Sequence, residues 1–161
     1  MTATDWMPHD PDRSSSQIQW VCHHAVDRSV LDLGCGNGRI AIPASALSRR
    51  YVAVDLDPEG LACIAAETGR VELVEADFRT LDLEQERFDL LLCLGNTFAL
   101  IWDVDEAVSV LQHWRGLLAE GGMLVLDDLA ADCWAEVACG NWAAGVDESG
   151  TMQLVWAVDD A

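Results

Sequence analysis

The chain has 161 residues, 51% of them apolar and 23% charged, with 28 acidic residues against 9 basic ones and a formal charge of −19. That length predicts one domain with a real core, and the apolar share excludes wholesale disorder. The charge argues against an extended nucleic-acid surface, because that affinity rests on Lys and Arg neutralising phosphates.

No apolar run approaches the roughly 20 residues of a membrane-spanning helix. The opening MTATDWMPHDPDR has no basic segment leading into an apolar stretch, so it does not read as a secretory signal, and a cytoplasmic protein is the expectation. All nine basic residues are Arg and 18 of the acids are Asp. That balance fits either a GC-rich genome or a salty cytoplasm, where screening relieves self-repulsion. The six cysteines (Cys22, Cys35, Cys63, Cys93, Cys133, Cys139) contain no C-x-x-C and read as reduced thiols. Cys22-His23-His24 reads as an ordinary helix face, since adjacent histidines diverge by about 100° and no second ligand cluster accompanies them.

In chain order, residues 1–14 are polar and read as a flexible arm. Ser15 or Ser16 is expected to cap a helix whose apolar face holds Ile18, Trp20, Val21, Cys22 and Ala25. Val30–Leu33 is a short strand, followed at once by Gly34-Cys35-Gly36-Asn37-Gly38 and a helix over Arg39–Ser48. Tyr51–Val54 is a second strand ending at Asp55, and Asp57-Pro58 opens a helix to about Thr68. Val71–Val74 is a third strand, ending in Glu75-Ala76-Asp77. Phe88–Leu94 is apolar apart from Asp89, as suits a strand covered on both faces. Glu106–Ala119 has helical spacing, Gly121-Gly122 is expected to stop it, and Met123–Leu126 is the fifth strand. Beyond Leu129 the spacing suggests a helix over Ala130–Ala138 and a hairpin of Trp142–Val146 with Met152–Val158. Regular strand–helix alternation calls for an α/β fold: a Rossmann-like, doubly wound, mostly parallel sheet with helices on both faces.

A strand that enters a glycine-rich turn and then a helix can bind a polar or anionic ligand group. Here the string is D-L-G-C-G-N-G, one residue shorter between its last glycines than a dinucleotide loop. Asp55 at the end of the next strand suits the two hydroxyls of a ribose, and Asp77 ends the third strand. In an open parallel sheet, strand ends such as Asp32, Asp55 and Asp77 line one crevice.

VLDLGCGNGRIAIPA (30–44) resembles the first motif of class I S-adenosylmethionine-dependent methyltransferases. VAVDLDPEGLACIAA (52–66) resembles the second and EADFRTL (75–81) the third, with FDLLLCLGNTFALI (88–101) and LLAEGGMLVLDDL (117–129) completing the order. CLGNTFAL is similar to the corresponding segment of glycine N-methyltransferase and of other small-molecule methyltransferases.

The resemblance implies S-adenosyl-L-methionine as cofactor and S-adenosyl-L-homocysteine as product. Gly34, Cys35 and Gly36 would face its methionine part, with Asp32 bracing that loop or the amino group. Asp55 would hold the ribose hydroxyls, Leu56 would pack on adenine, Asp77 would accept the adenine amino hydrogens, and Phe78 would flank the ring. Cys93, Leu94 and Gly95 would lie beneath the methionine carbons, with Asn96 near the transferring methyl.

Methyl transfer from a sulfonium needs chiefly alignment and exclusion of water. No metal is implied, and no catalytic residue is assigned; Asn96, Thr97, Asp127 and Asp128 are the polar groups nearest the expected methyl. His113 reads as a packing or surface histidine, and of the tryptophans only Trp102 sits where a substrate would enter.

Members of this family usually add two further strands, so residues 15–161 read as a single cofactor-binding domain cut short at its C-terminus. The open fifth strand would then suit a homodimer through the sheet edge. Two functions follow: methyl transfer to a small-molecule acceptor, with neither nucleic acid nor membrane as partner, or a non-catalytic cofactor-binding module completed by a partner chain. A nicotinamide-dependent dehydrogenase is set aside, because it needs the longer glycine loop and a catalytic Tyr-Lys or His, and the chain has one Tyr and no Lys.

Overall fold

A computed structural model describes the backbone of residues 11–83, 86–127, 142–146 and 152–156, and the side chains of 15–83 and 86–127. The elements run α1 (Pro11–Ala25), β1 (Ser29–Leu33), α2 (Ala41–Ser45), β2 (Arg50–Asp55), α3 (Pro58–Glu67), β3 (Val71–Glu75) and β4 (Phe88–Cys93). A 3₁₀ turn (Thr97–Leu100), α4 (Val104–Leu117), β5 (Leu118–Leu126), β6 (Trp142–Val146) and β7 (Met152–Trp156) follow.

Strands β1–β5 form one all-parallel sheet in the order β3-β2-β1-β4-β5. The order reverses at β1, so the loops after β1 and β4 part there and leave a crevice at the strand ends. Residues 15–128 make one compact unit. β6 and β7 belong to a second and pair antiparallel, Trp142 opposite Trp156 through Val146 opposite Met152, as the hairpin pattern predicts.

Side chains alternate along each strand, so the sheet has two packed faces. Val30, Tyr51, Ala53, Leu90 and Leu92 pack with Val21 and Ala25 of α1, Ala41 and Ala44 of α2 and Ile64 of α3. Leu31, Leu33, Val52, Val54, Leu91 and Cys93 pack with Val110, Trp114 and Leu117 of α4. Trp114 is fully buried, and its indole N–H donates to the Phe78 carbonyl at 3.0 Å, which satisfies its polar atom inside the core.

Several element boundaries differ from the sequence reading, each for a local reason. α1 starts at Pro11, so Ser15 and Ser16 lie inside it rather than capping it; proline suits a first helical position because its missing N–H would be unpaired there anyway. α2 has only five residues, with Pro43 at its third position, where the first turn tolerates it.

α4 ends at Leu117, and β5 begins at once with Leu118, four residues before Gly122. The glycine pair does not stop the helix; it makes a bulge in the strand. Gly121 takes φ +73°, and the register jumps from Phe88 opposite Leu118 to Leu90 opposite Met123. Asp57 caps α3 as predicted, accepting from the Glu59 N–H, and Asp103 caps α4 by accepting from Glu106.

Trp20 is 41% exposed and stacks on His24 at 3.8 Å between ring centroids, so it is a surface residue rather than core. His113 Nε2–H donates to the Leu81 carbonyl at 2.6 Å, in a packing role. Cys22, Cys35, Cys63 and Cys93 are free thiols. The predicted Ala130–Ala138 helix and Asp128 lie outside the described residues. Among the described residues, no helix is long and apolar enough to cross a membrane.

Candidate cofactor crevice

The crevice is built from four strand ends. After β1 the chain turns through Gly34, Gly36 and Gly38 with φ +75°, +55° and +87°, a region that L side chains rarely adopt. Two of these glycines are needed for packing. A Cβ on Gly34 would lie 2.3 Å from Thr97 Cγ2, and one on Gly38 would lie 2.4 Å from Ile64 Cγ1. Gly36 differs: a Cβ there meets nothing within 4 Å, and the same holds for Gly95 after β4. Glycines on both sides of the strand reversal therefore face open space.

Four of the loop amides are already used. Gly34 and Cys35 N–H donate to the Val54 carbonyl at 2.8 and 3.1 Å, and Gly38 N–H donates to the Cys35 carbonyl. Gly36 N–H donates to Asp55 Oδ2 at 2.7 Å. These four amides are therefore not available to cradle a phosphate. Such a loop suits a ligand approached by close backbone contact.

Asp55 braces the loop, since its other oxygen accepts from Asp57 N–H at 2.9 Å. Leu56 beside it is 60% exposed, a large apolar side chain left at the crevice rim. Asp77 is engaged by Arg79, through both the guanidinium and the backbone N–H, and the side-chain bond chiefly holds its carboxyl below the usual range. Phe78 is buried, its ring 5.9 Å from Trp114, so it points into the core and leaves its backbone at the strand end.

Cys93 and Leu94 are buried, and Thr97 Oγ1 donates to the Leu94 carbonyl at 2.7 Å. Asn96 takes a left-handed conformation, φ +59°, and its N–H donates to Asp127 Oδ1 at 3.1 Å. Asp127 Oδ2 accepts from Gln17 of α1, whose own side-chain oxygen accepts from Arg39. This link from α1 across the β4 and β5 ends was not legible in the sequence: Gln17 and Asp127 are 110 residues apart. Burial pushes the Cys35 thiol up, and the charges of Asp32 and Asp55 add to it, so this cysteine stays un-ionised.

Asp32, the acid before the glycines, is buried, and burial lifts its carboxyl from 3.8 to about 6 against the opposing effect of a hydrogen bond from Tyr51. Tyr51 is a partner that motif spacing missed. Its signal was a lone phenol in an otherwise apolar strand, which must find an acceptor.

A family profile described as a methyltransferase domain matches residues 30–122. Over 114 residues the chain is 35% identical to a cypemycin N-terminal methyltransferase of a Streptomyces species, covering 68% of this chain and 46% of that protein. It is 34% identical over 125 residues to ribosomal protein L11 methyltransferase of Pseudomonas aeruginosa, covering 74% and 40%. Among solved structures, S-adenosylmethionine-bound CalS10, an amino pentose methyltransferase from Micromonospora echinaspora, superposes with a TM-score of 0.61 at 27% identity, covering 74% of this chain and 50% of that one. The chain belongs to the class I S-adenosylmethionine-dependent methyltransferase family. It spans about half the length of the relatives it matches.

The residues present fit that family's cofactor on a count independent of the match: the two positions where a side chain would intrude, 36 and 95, are glycines facing open space. A substitution tests this. Gly36→Ala should fold with stability lowered by about 1 kcal/mol, the cost of a left-handed L residue. Its added methyl group should still weaken S-adenosylhomocysteine binding, as read by denaturant unfolding beside calorimetric titration. Unchanged binding would show that the space above Gly36 is not used.

Proposed function

We propose that the chain binds S-adenosylmethionine across the ends of β1–β4 and directs its methyl group to an amine of a small molecule. The observation that carries the reading is the open space above Gly36 and Gly95, bordered by the Asp55 carboxylate and the exposed Leu56.

In this reading Asp55 accepts from the ribose hydroxyls, Leu56 covers adenine, and Asp77 accepts from the adenine amino group while keeping Arg79. Phe78 contributes its backbone, since its ring is committed to Trp114. Asp32, Gly34, Cys35 and Gly36 border the methionine end. Cys93, Leu94 and Gly95 floor its carbon chain, and Asn96 stands by the methyl, held in its left-handed turn by Asp127. When bound, the cofactor supplies an electrophilic sulfonium methyl open to in-line attack by a nucleophile. The chain's own residues orient the two ends of that group and keep water from the reacting line.

An amine acceptor is favoured by the charge of −19, which draws cations and repels phosphates. The amino pentose and peptide N-terminus named for two of the relatives point the same way.

The test has two stages. Calorimetry with S-adenosylmethionine and S-adenosylhomocysteine should show micromolar binding. Transfer from methyl-labelled cofactor should then appear with an amino sugar or a short peptide bearing a free N-terminus, and not with oligonucleotides. Label on a folded protein alone would move the acceptor class to that of the L11 enzyme. Binding without transfer to any of them would favour the second reading, a cofactor-binding module completed by another chain. That reading draws on β5, the edge strand of the described sheet, and on the half-length match to relatives.

A further inference from the structure

On the sheet face covered by α1 and α2, one carboxylate sits in an apolar layer. Asp32 is 3% exposed and lies in register between Ala53 of β2 and Leu92 of β4. The Tyr51 hydroxyl, also buried, donates to its Oδ2 at 2.8 Å. Among the described residues nothing donates to Oδ1. A buried carboxylate has room for about four hydrogen bonds and is costly while underpaired. The charged and titratable groups that reach this pair are Arg39 and Cys35 from the glycine loop, Asp55 from the end of β2, and Cys22 from α1.

A tyrosine suits this place for a chemical reason. A Lys or Arg would neutralise the carboxylate and leave nothing for a ligand, whereas a neutral phenol satisfies one oxygen and keeps the charge. Burial and the neighbouring carboxylate hold the phenol far above its ordinary range, so it acts only as a donor.

We propose that Tyr51 is a positioning residue for cofactor binding: its hydroxyl fixes Oδ2 of Asp32 and leaves Oδ1 to pair with the ammonium of the cofactor's methionine end. This rests on the crevice reading above and adds to it a residue outside the crevice motifs.

Tyr51 is the only tyrosine in the chain, so growth on 3-fluorotyrosine labels it alone without removing its hydroxyl. In the free protein the fluorine resonance should titrate with Asp32, near pH 6. Saturating S-adenosylhomocysteine should lower that midpoint by about one unit or more, because an ammonium partner favours the ionised acid. 5′-Methylthioadenosine, which lacks the amino-acid end, should leave it in place.

By calorimetry, S-adenosylhomocysteine affinity should fall about five- to tenfold from pH 7 to pH 5, while that of methylthioadenosine stays flat. Tyr51→Phe should move the midpoint of the first profile up by about one unit, and Asp32→Asn should flatten it. If Tyr51→Phe does not fold, the fluorine titration decides alone. Equal shifts with both ligands, or a wild-type pH profile in Tyr51→Phe, would overturn the proposal while leaving the crevice intact. No S-adenosylhomocysteine binding at any pH would overturn the crevice reading and this inference with it.

Discussion

Asp55→Ala is expected to weaken S-adenosylhomocysteine binding by roughly 100- to 10,000-fold. Two hydrogen bonds from ribose hydroxyls to a carboxylate are each worth roughly 1.5–3 kcal/mol, and together they correspond to that range of affinity. A second contribution comes from the protein itself. Asp55 holds Gly36 N–H at 2.7 Å and Asp57 N–H at 2.9 Å, so its loss also leaves the glycine turn unbraced before ligand arrives.

Asp55→Asn separates the two effects. Its amide oxygen still accepts from Gly36, while the opposite position becomes a donor, so the glycine turn keeps its brace but the Asp57 N–H bond and one ribose contact are lost. Titration of both variants, with thermal unfolding alongside, should give a graded series in affinity and a stability loss that is larger for the alanine. Full affinity in Asp55→Ala would mean that the ribose lies elsewhere, and the assignment of the β2 end would fall.

Asp32→Asn is expected to stabilise the free protein at neutral pH while removing its ability to pair with an ammonium. Burial raises the Asp32 carboxyl from 3.8 to about 6, so the folded state is penalised for ionising it. The penalty is absent below about pH 4, grows as pH rises towards 6 and is constant above. A carboxyl raised from 3.8 to about 6 corresponds to about 3 kcal/mol at pH 7 to 8. Asparagine accepts from the Tyr51 hydroxyl but buries an amide NH2 without a partner, at a cost of about 1–3 kcal/mol, leaving a net gain of up to about 2 kcal/mol.

The carboxyls of Glu72, Asp77 and Asp89 behave oppositely. Hydrogen bonds hold them low, from Arg50, from Arg79 and, for Asp89, mainly from the Ser29 backbone N–H. Their contribution is present above the ordinary carboxylate range and is lost as pH falls. The wild-type curve mixes the two signs, so the quantity to follow is the difference between variant and wild type in denaturant unfolding across pH 4 to 8. A gap that opens between pH 4 and 6 is expected; a flat difference would show that Asp32 is not strained in the folded state. A site residue that destabilises the free fold is a common trade between stability and binding.

What the sequence by itself determined was local in origin. Five apolar strand segments, the glycines at 34, 36 and 38, and the acids at 32, 55 and 77 each lie within one strand–turn–helix unit, where period and turn chemistry can be read without knowing the neighbours. A parallel sheet follows from units of that kind, whereas its order β3-β2-β1-β4-β5 is a tertiary result.

Only the tertiary structure decided the rest. The Phe78 ring turns to Trp114, 36 positions on, and leaves the crevice its backbone. Gly36 faces open space while Gly34 is pressed against Thr97, although the two read identically in the motif. Tyr51 completes Asp32 from the adjacent strand, and Gln17 clasps Asp127 across 110 residues. Each of these depends on which side chain lies opposite in a packed layer, and residues far apart in the chain carry no shared period that would reveal it.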